Sequence, residues 1–287
     1  MAVGDYEVGG VTKTLIERSG GGIWTWMPTG PALNPSTTMN VLNGVSCVVS
    51  KFCEAVGFYI DANGLQKTLI ERWSYSTGGA AWRRDASANP EPHDILNGVS
   101  CVRWPKPVCE AVGADLPVGP VWNTLVEKGP TPWAWVLSPN PPGTLYSTLN
   151  GVSCTSATFC EAVGGWVVNA AGLTHTLRET WNGLIWIKVF SANPSTLNNV
   201  LSGVSCLTVN HCAAAGADVP GVGKAKTLTE WPAGAWDPSA NGVPNPPFKY
   251  DVLNGVSCVK LMCKAVGYAR TQAAAGPISV TLVDRGP

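Results

Sequence analysis

The chain has 287 residues, with nineteen Lys and Arg against nineteen Asp and Glu, so its formal net charge is zero and only 13% of it is charged. A balanced surface with no basic run argues against nucleic acid and anionic membranes as partners, and no apolar run approaches the ~18 residues of a membrane-spanning helix. Thirty-two Gly and twenty-three Pro signal short elements separated by many turns.

In chain order, Ala2-Val3-Gly4 and Thr14–Glu17 read as a pair of strands, followed by Trp24 and Trp26 and then Asn34-Pro35. Next comes Leu-Asn-Gly-Val-Ser-Cys at 42–47, which recurs at 96–101, 149–154 and 253–258, with Leu-Ser-Gly-Val-Ser-Cys at 201–206. A second Cys follows each, then Glu-Ala-Val-Gly or a variant of it, then Thr-Leu-x-Glu, a Trp-bearing stretch and Asn-Pro. The anchors span 42–57, 96–113, 149–164, 201–216 and 253–267, and the period of 52–54 residues is that of propeller blades rather than helical solenoids.

Each unit reads as four strands. The first, around Val45–Ser50, is expected to start after an Asn-Gly turn; the second lies around Glu54–Tyr59. The third, Thr68–Trp73, alternates apolar and polar residues, and the fourth carries the Trp. Four antiparallel strands repeated radially make an all-β propeller, here a single domain over 1–287. The second and third strands occur six times and the first and fourth five times. Six blades with incomplete first and last members are therefore expected, the alternative being five blades and an extra hairpin.

All ten Cys fall in the repeat, as Cys47 with Cys53, Cys101 with Cys109, Cys154 with Cys160, Cys206 with Cys212 and Cys258 with Cys263. Partners at facing ends of a tight hairpin can reach the roughly 4.4–6.8 Å Cα separation of a disulfide. One pair per blade leaves any zinc site two ligands short. The reading is five structural disulfides in an oxidising, extracellular setting, secreted or at the cell surface.

The order Gly44-Val45-Ser46, Ala55-Val56-Gly57, Thr68-Leu69 and a later Trp, repeated in Val152-Ser153, Ala162-Val163-Gly164, Thr176-Leu177, Asn182-Gly183 and Trp186, resembles the sialidase-type (BNR, or Asp-box) propeller repeat and the related photosystem-assembly-factor propellers. It also resembles secreted bacterial arrays of disulfide-bearing propeller repeats. The Asp box itself is absent, and the arginines and nucleophilic Tyr of sialidases have no counterparts, so the likeness implies a fold and no activity.

A catalytic site needs one asymmetric constellation, whereas the candidate groups here recur. Ser46, Ser100, Ser153, Ser205 and Ser257 each precede a Cys and read as strand hydrogen-bonding residues. Glu17, Glu71, Glu127, Glu179, Glu230 and Asp284 form a ring of carboxylates, expected to tie strands or blades rather than flank one glycosidic bond at roughly 5–9.5 Å. No phosphate loop, metal motif or cofactor motif is present, and no enzyme is expected. Trp82, Trp186 and Trp236 keep register and are expected in the core. Trp104, Trp122 and Trp166 do not, and are the candidate ligand-binding rings, because indole faces stack on sugars. The Asn-Pro loops (28–41, 138–148) and the hairpins 57–66, 113–123 and 164–174 share one face and vary while the strands do not. The expectation is a non-catalytic binding propeller for a neutral glycan or cell-wall polymer. The alternative is a structural or adhesive module that self-associates through its terminal blades.

Overall fold

The computed structural model describes residues 1–76, 79–117, 119–130, 132–167, 172–221, 224–230, 250–260, 262–273 and 276–285. No helix long and apolar enough to cross a membrane occurs among them. The chain forms two compact units, Met1–Ser138 and Pro139–Pro287.

In the first unit, β1 (Ala2–Val8), β2 (Val11–Gly20) and β3 (Ile23–Trp26) make a three-stranded antiparallel sheet. It is followed by two four-stranded sheets in simple sequential order. One holds β4 (Asn40–Val49), β5 (Phe52–Ile60), β6 (Gln66–Ser76) and β7 (Gly79–Asp85), the other β8 (His93–Trp104), β9 (Lys106–Leu116), β10 (Asn123–Gly129) and β11 (Ala134–Trp135). The second unit opens with β12 (Tyr146–Ser156), β13 (Phe159–Val167), β14 (Thr174–Trp181) and β15 (Trp186–Lys188). Then come β16 (Asn198–Thr208), β17 (His211–Gly221), β18 (Lys224–Glu230), β19 (Tyr250–Val259), β20 (Met262–Ala273) and β21 (Gly276–Arg285). These last six strands share one sheet, because Ala225 of β18 bridges in parallel to Tyr250 of β19.

Meandering antiparallel blades built from one repeat define a β-propeller fold. The described strands give five sheets, the number of the five-blade alternative. Six separate blades are not what the pairing gives, since the last repeat continues the sheet of the one before it.

The core lies between blades. Ile16, Leu42, Ala55 and Leu69 pack together across the first and second blades; Val56, Ile70, Leu96 and Leu125 do so across the second and third. In the second unit Val163, Leu201, Val204 and Leu228 form the same kind of layer. Strand alternation explains this: successive side chains face opposite neighbours, so a blade inside the stack is apolar on both sides.

Each letter of Leu-Asn-Gly-Val-Ser-Cys has a place in that stacking. Leu42, Leu96 and Leu201 are buried in these layers, and Leu149 and Leu253 are buried as well. Asn43 Nδ2 donates to the carbonyl of Leu96 in the next blade at 2.9 Å, and Asn150 Nδ2 to that of Leu201 at 2.8 Å. The Asn-Gly pair is thus not a turn before the strand, as expected from composition; it lies inside β4, at a register shift between Leu42 and Gly44. A Cβ on Gly44 would stand 3.2 Å from the Cα of Gly98, so glycine lets neighbouring inner strands touch. Ser46 Oγ accepts the N–H of Cys101 at 2.9 Å, Ser153 that of Cys206 at 2.9 Å and Ser205 that of Cys258 at 3.0 Å. The shift also explains Ala-Val-Gly, because a Cβ on Gly57 would collide with the Val41 carbonyl.

All five disulfides form within their own repeat as expected, with Cα atoms 3.9–4.0 Å apart. The cysteines are direct cross-strand partners of the first two strands of a blade, as in Cys154 opposite Cys160. Five such bridges indicate an oxidising environment.

Replacing Ser153 by Ala leaves the Cys206 N–H without its acceptor. We expect a loss of roughly 1–2 kcal/mol in urea unfolding under non-reducing conditions, with the disulfide map unchanged.

Candidate functional site

The third strands carry the ring of carboxylates. Glu71, Glu127, Glu179 and Glu230 are fully buried, Glu17 is partly buried, and the side chain of Asp284 lies outside the described residues. Both carboxylate oxygens of Glu127 accept from Ser87 Oγ at 2.8 Å, and one accepts the N–H of Ala88 at 3.2 Å. Glu230 takes the Ser191 hydroxyl at 3.1 and 3.2 Å. Ser87 and Ser191 sit two residues before Asn89 and Asn193, whose side-chain oxygens accept the N–H groups of Thr68 and Thr176 at 2.8 Å. Thr-Leu-x-Glu and Ser-x-Asn-Pro are therefore two halves of one device. The Asn holds the exit segment to its own blade, and the Ser hands it to the Glu of the next. At the matching place before Asn34 stands Ala32. Glu71, lacking that serine, is pushed up to about 8 by burial, with the Thr14 hydroxyl a partial offset.

A second set of buried carboxylates lies on the second strands. Lys128 pairs with Glu110 at 2.9 Å, and Arg178 pairs with Glu161, which also accepts from Thr180 Oγ1 at 3.0 Å. In the second blade Arg72 pairs instead with Asp85 at 2.9 Å. Glu54 is left fully buried with no hydrogen bond to either oxygen. Burial, and then the negative charge of Asp85, push it up to about 9, while Arg72 pulls the other way. Glu54, Glu110 and Glu161 are all buried.

Of the rings expected in the core, Trp186 is buried, stacked obliquely on Trp181 with centroids 6.0 Å apart. Trp82 is half-buried and makes a similar pair with Trp73 at 5.9 Å, and Trp236 lies outside the described residues. Of the candidate ligand rings, the side chain of Trp104 is likewise outside them. Trp122, just before β10, is half-buried. Trp166 is half-buried, with His175 edge-on at 5.4 Å and the Lys188 ammonium 4.9 Å above its ring. Among the described residues the most open indoles lie on outer strands: Trp24, Trp26 and Trp135 are each about half exposed. Trp26, Met27, Pro28, Leu33, Trp73 and Trp82 wall a pocket of about 550 Å³ between the first and second blades, and no charged residue lines it.

One polar feature breaks the repeat. Asp94 on β8 is the direct cross-strand partner of Asp115 on β9, with exposures of 0% and 5%. Elsewhere the same pairing is Asn40 with Tyr59, Ser147 with Trp166, Asn199 with Asp218 and Asp251 with Ala269. Burial raises Asp94 to about 7 and Asp115 to about 6. Two carboxylates fall short of a metal site, and no group of three His, Cys, Asp or Glu that could hold an ion occurs among the described residues.

No protein-family model matches the chain, and no curated protein matches it. Among solved structures it is similar to "YCF48 bound to D1 peptide", at 13% sequence identity and a TM-score of 0.45 over 82% of this chain; it spans 64% of the length of that one.

Sequence reasoning missed the pocket, because its walls come from two repeats: β3 and the loop after it, and β6 with β7. It missed the acid pair because Asp115 reads as a loop residue until the register sets it against Asp94. The exposed Trp24 and Trp26 on an outer strand offered the available signal.

Glu54 yields a pH test. Folded, it keeps its proton to about pH 9, whereas an unfolded glutamate ionises near its ordinary value of about 4.3. Its contribution to stability is therefore complete in acid and is lost as pH rises between these values. Glu54→Gln should be several kcal/mol more stable than the parent at pH 8 and close to it at pH 4.5, in paired urea titrations.

Proposed function

We propose that this chain is a non-catalytic binding module of the extracellular space that recognises a neutral carbohydrate. The uncharged pocket walled by Trp26, Trp73 and Trp82 carries the reading. Sugars present flat C–H faces that stack on indole, and their hydroxyls need no counter-charge. The loops after the fourth strands and the hairpin bearing Trp122 supply further polar backbone around the same scaffold. The non-catalytic part is supported by the fate of the repeated Ser46, Ser153, Ser205, Glu127 and Glu230, which are spent on ties between blades. The disulfides favour placement outside the cell, and the bacterial repeat arrays that the sequence resembles are secreted.

The test is a glycan array followed by calorimetry with a retained neutral oligosaccharide. Trp26→Ala should weaken binding at least ten-fold while changing the melting temperature little, since half of that ring is already in water. An array with no neutral glycan bound, or affinity unchanged in the variant, would discard the assignment.

A second reading, self-association, has its own support. Leu184, Ile185 and Phe190, around the outer strand β15, are 84%, 59% and 77% exposed, and apolar clusters of this kind mark contact surfaces. Light scattering should then give a dimer or larger species that Leu184→Asp with Phe190→Asp converts to monomer.

A further inference from the structure

Asp94 and Asp115 sit where like charges are costly. Direct cross-strand partners hold their Cβ atoms about 4.5–5.5 Å apart on the same face of the sheet, and both side chains are more than nine-tenths buried. Asp94 Oδ2 accepts the N–H of Glu91 at 3.3 Å, and Asn123 hydrogen-bonds Asp115. One oxygen of each, Oδ1, has no hydrogen-bond partner. A single proton held between two carboxyls would serve both. The pair stands at the mouth of the hairpin joining β9 to β10, which carries Trp122, and Asn123 is in turn the cross-strand partner of Asp115.

We infer that Asp94 and Asp115 form a proton-sharing clamp, which ties this hairpin to β8 while one proton is held between them and loosens it when both carboxylates are ionised. The surrounding groups point the same way. Glu91 and Glu127 add negative charge and Lys67 positive charge. The Lys67 ammonium is itself held by the Glu91 carbonyl at 2.9 Å. His93, at the start of β8, accepts the N–H of Gln66 through Nδ1 at 3.3 Å. With burial dominant, both aspartates lie well above the ordinary carboxylate value. Folded, the pair holds protons that the unfolded chain has released, so it supports the hairpin in acid and loses that support as pH rises toward and through neutrality. The titration belongs to the pair and not to either residue alone.

Elsewhere in this chain the fold accommodates a neutral amide at the position of Asp94. Asn40 Oδ1 accepts the N–H of Ser36 at 2.8 Å and Asn199 Oδ1 that of Ser195 at 3.0 Å. Asp94→Asn should therefore fold and keep its loop contact while removing one of the two charges. The inference concerns hairpin order and does not depend on the carbohydrate reading.

The experiment is amide hydrogen exchange of the whole disulfide-bonded chain from pH 5 to pH 8.5, corrected for chemical exchange, in the parent and in Asp94→Asn, Asp115→Asn and His93→Gln. In the parent, protection at Ala114, Asp115, Trp122 and Asn123 should fall at least ten-fold across the range. It should fall less than about three-fold in either Asn variant and as in the parent in His93→Gln. Amides of β14 serve as the global reference and should not move. A flat parent profile, a parent-like fall in both Asn variants, a fall abolished by His93→Gln, or an equal fall in β14 would each overturn the clamp.

Discussion

Within a unit, polar side chains of one blade bond to the next, and the rest of the structure depends on those ties. Two sheet faces meeting only through leucine, valine and alanine would attract one another without a fixed register, since apolar burial is non-directional. Asn43 to the Leu96 carbonyl, Ser46 to the Cys101 N–H, and Ser87 to Glu127 give the stack its register. Each is a modest bond, about 1 kcal/mol net. Repetition along a unit multiplies it, and leaving a buried partner empty costs more than forming the bond gains. That asymmetry accounts for why whole motifs recur while the loops between them vary.

The same geometry places many carboxylates in a poor solvent. Glu127 and Glu230 are satisfied by hydroxyls and Glu110 and Glu161 by cations, whereas Glu54 and Glu71 keep their protons instead. Buried ionisable groups add little net stability. Their presence here goes with directional contact, and the raised values of Glu54 and Glu71 imply stability that is lost as pH rises. The cross-strand disulfides act locally by closing loops of only a few residues, so they brace the inner hairpins and leave the joining of blades to the hydrogen bonds.

Function, on this account, has to be sought where the repeat is broken. The repeated Ser46, Ser153, Ser205, Glu127 and Glu230 are occupied in holding blades together. The Trp26 pocket between the first two blades, the Asp94–Asp115 pair and the apolar rim around β15 are places where it is broken. A rigid scaffold with varied edges suits recognition, because loops can change without disturbing the inter-blade contacts.

Much of the fold was legible in the residues alone. A repeat of 52–54 residues with period-two strands implies stacked antiparallel blades, and five close cysteine pairs imply five local bridges, because both follow from short-range spacing. The structural role of Ser153 or Glu127 was legible as well, through recurrence. What tertiary structure alone decided are the matters that join residues far apart in sequence. Asn-Gly at 43–44 became a contact inside a strand because Leu96 and Gly98 of the next blade lie against it. The last repeat joined the sheet before it through one bridge, from Ala225 to Tyr250. Whether a tryptophan is open or enclosed depended on what packing sets beside it, so Trp186, against Trp181, is buried and Trp26 is half in water. Register and burial are properties of pairs of segments, and a single chain position does not carry them.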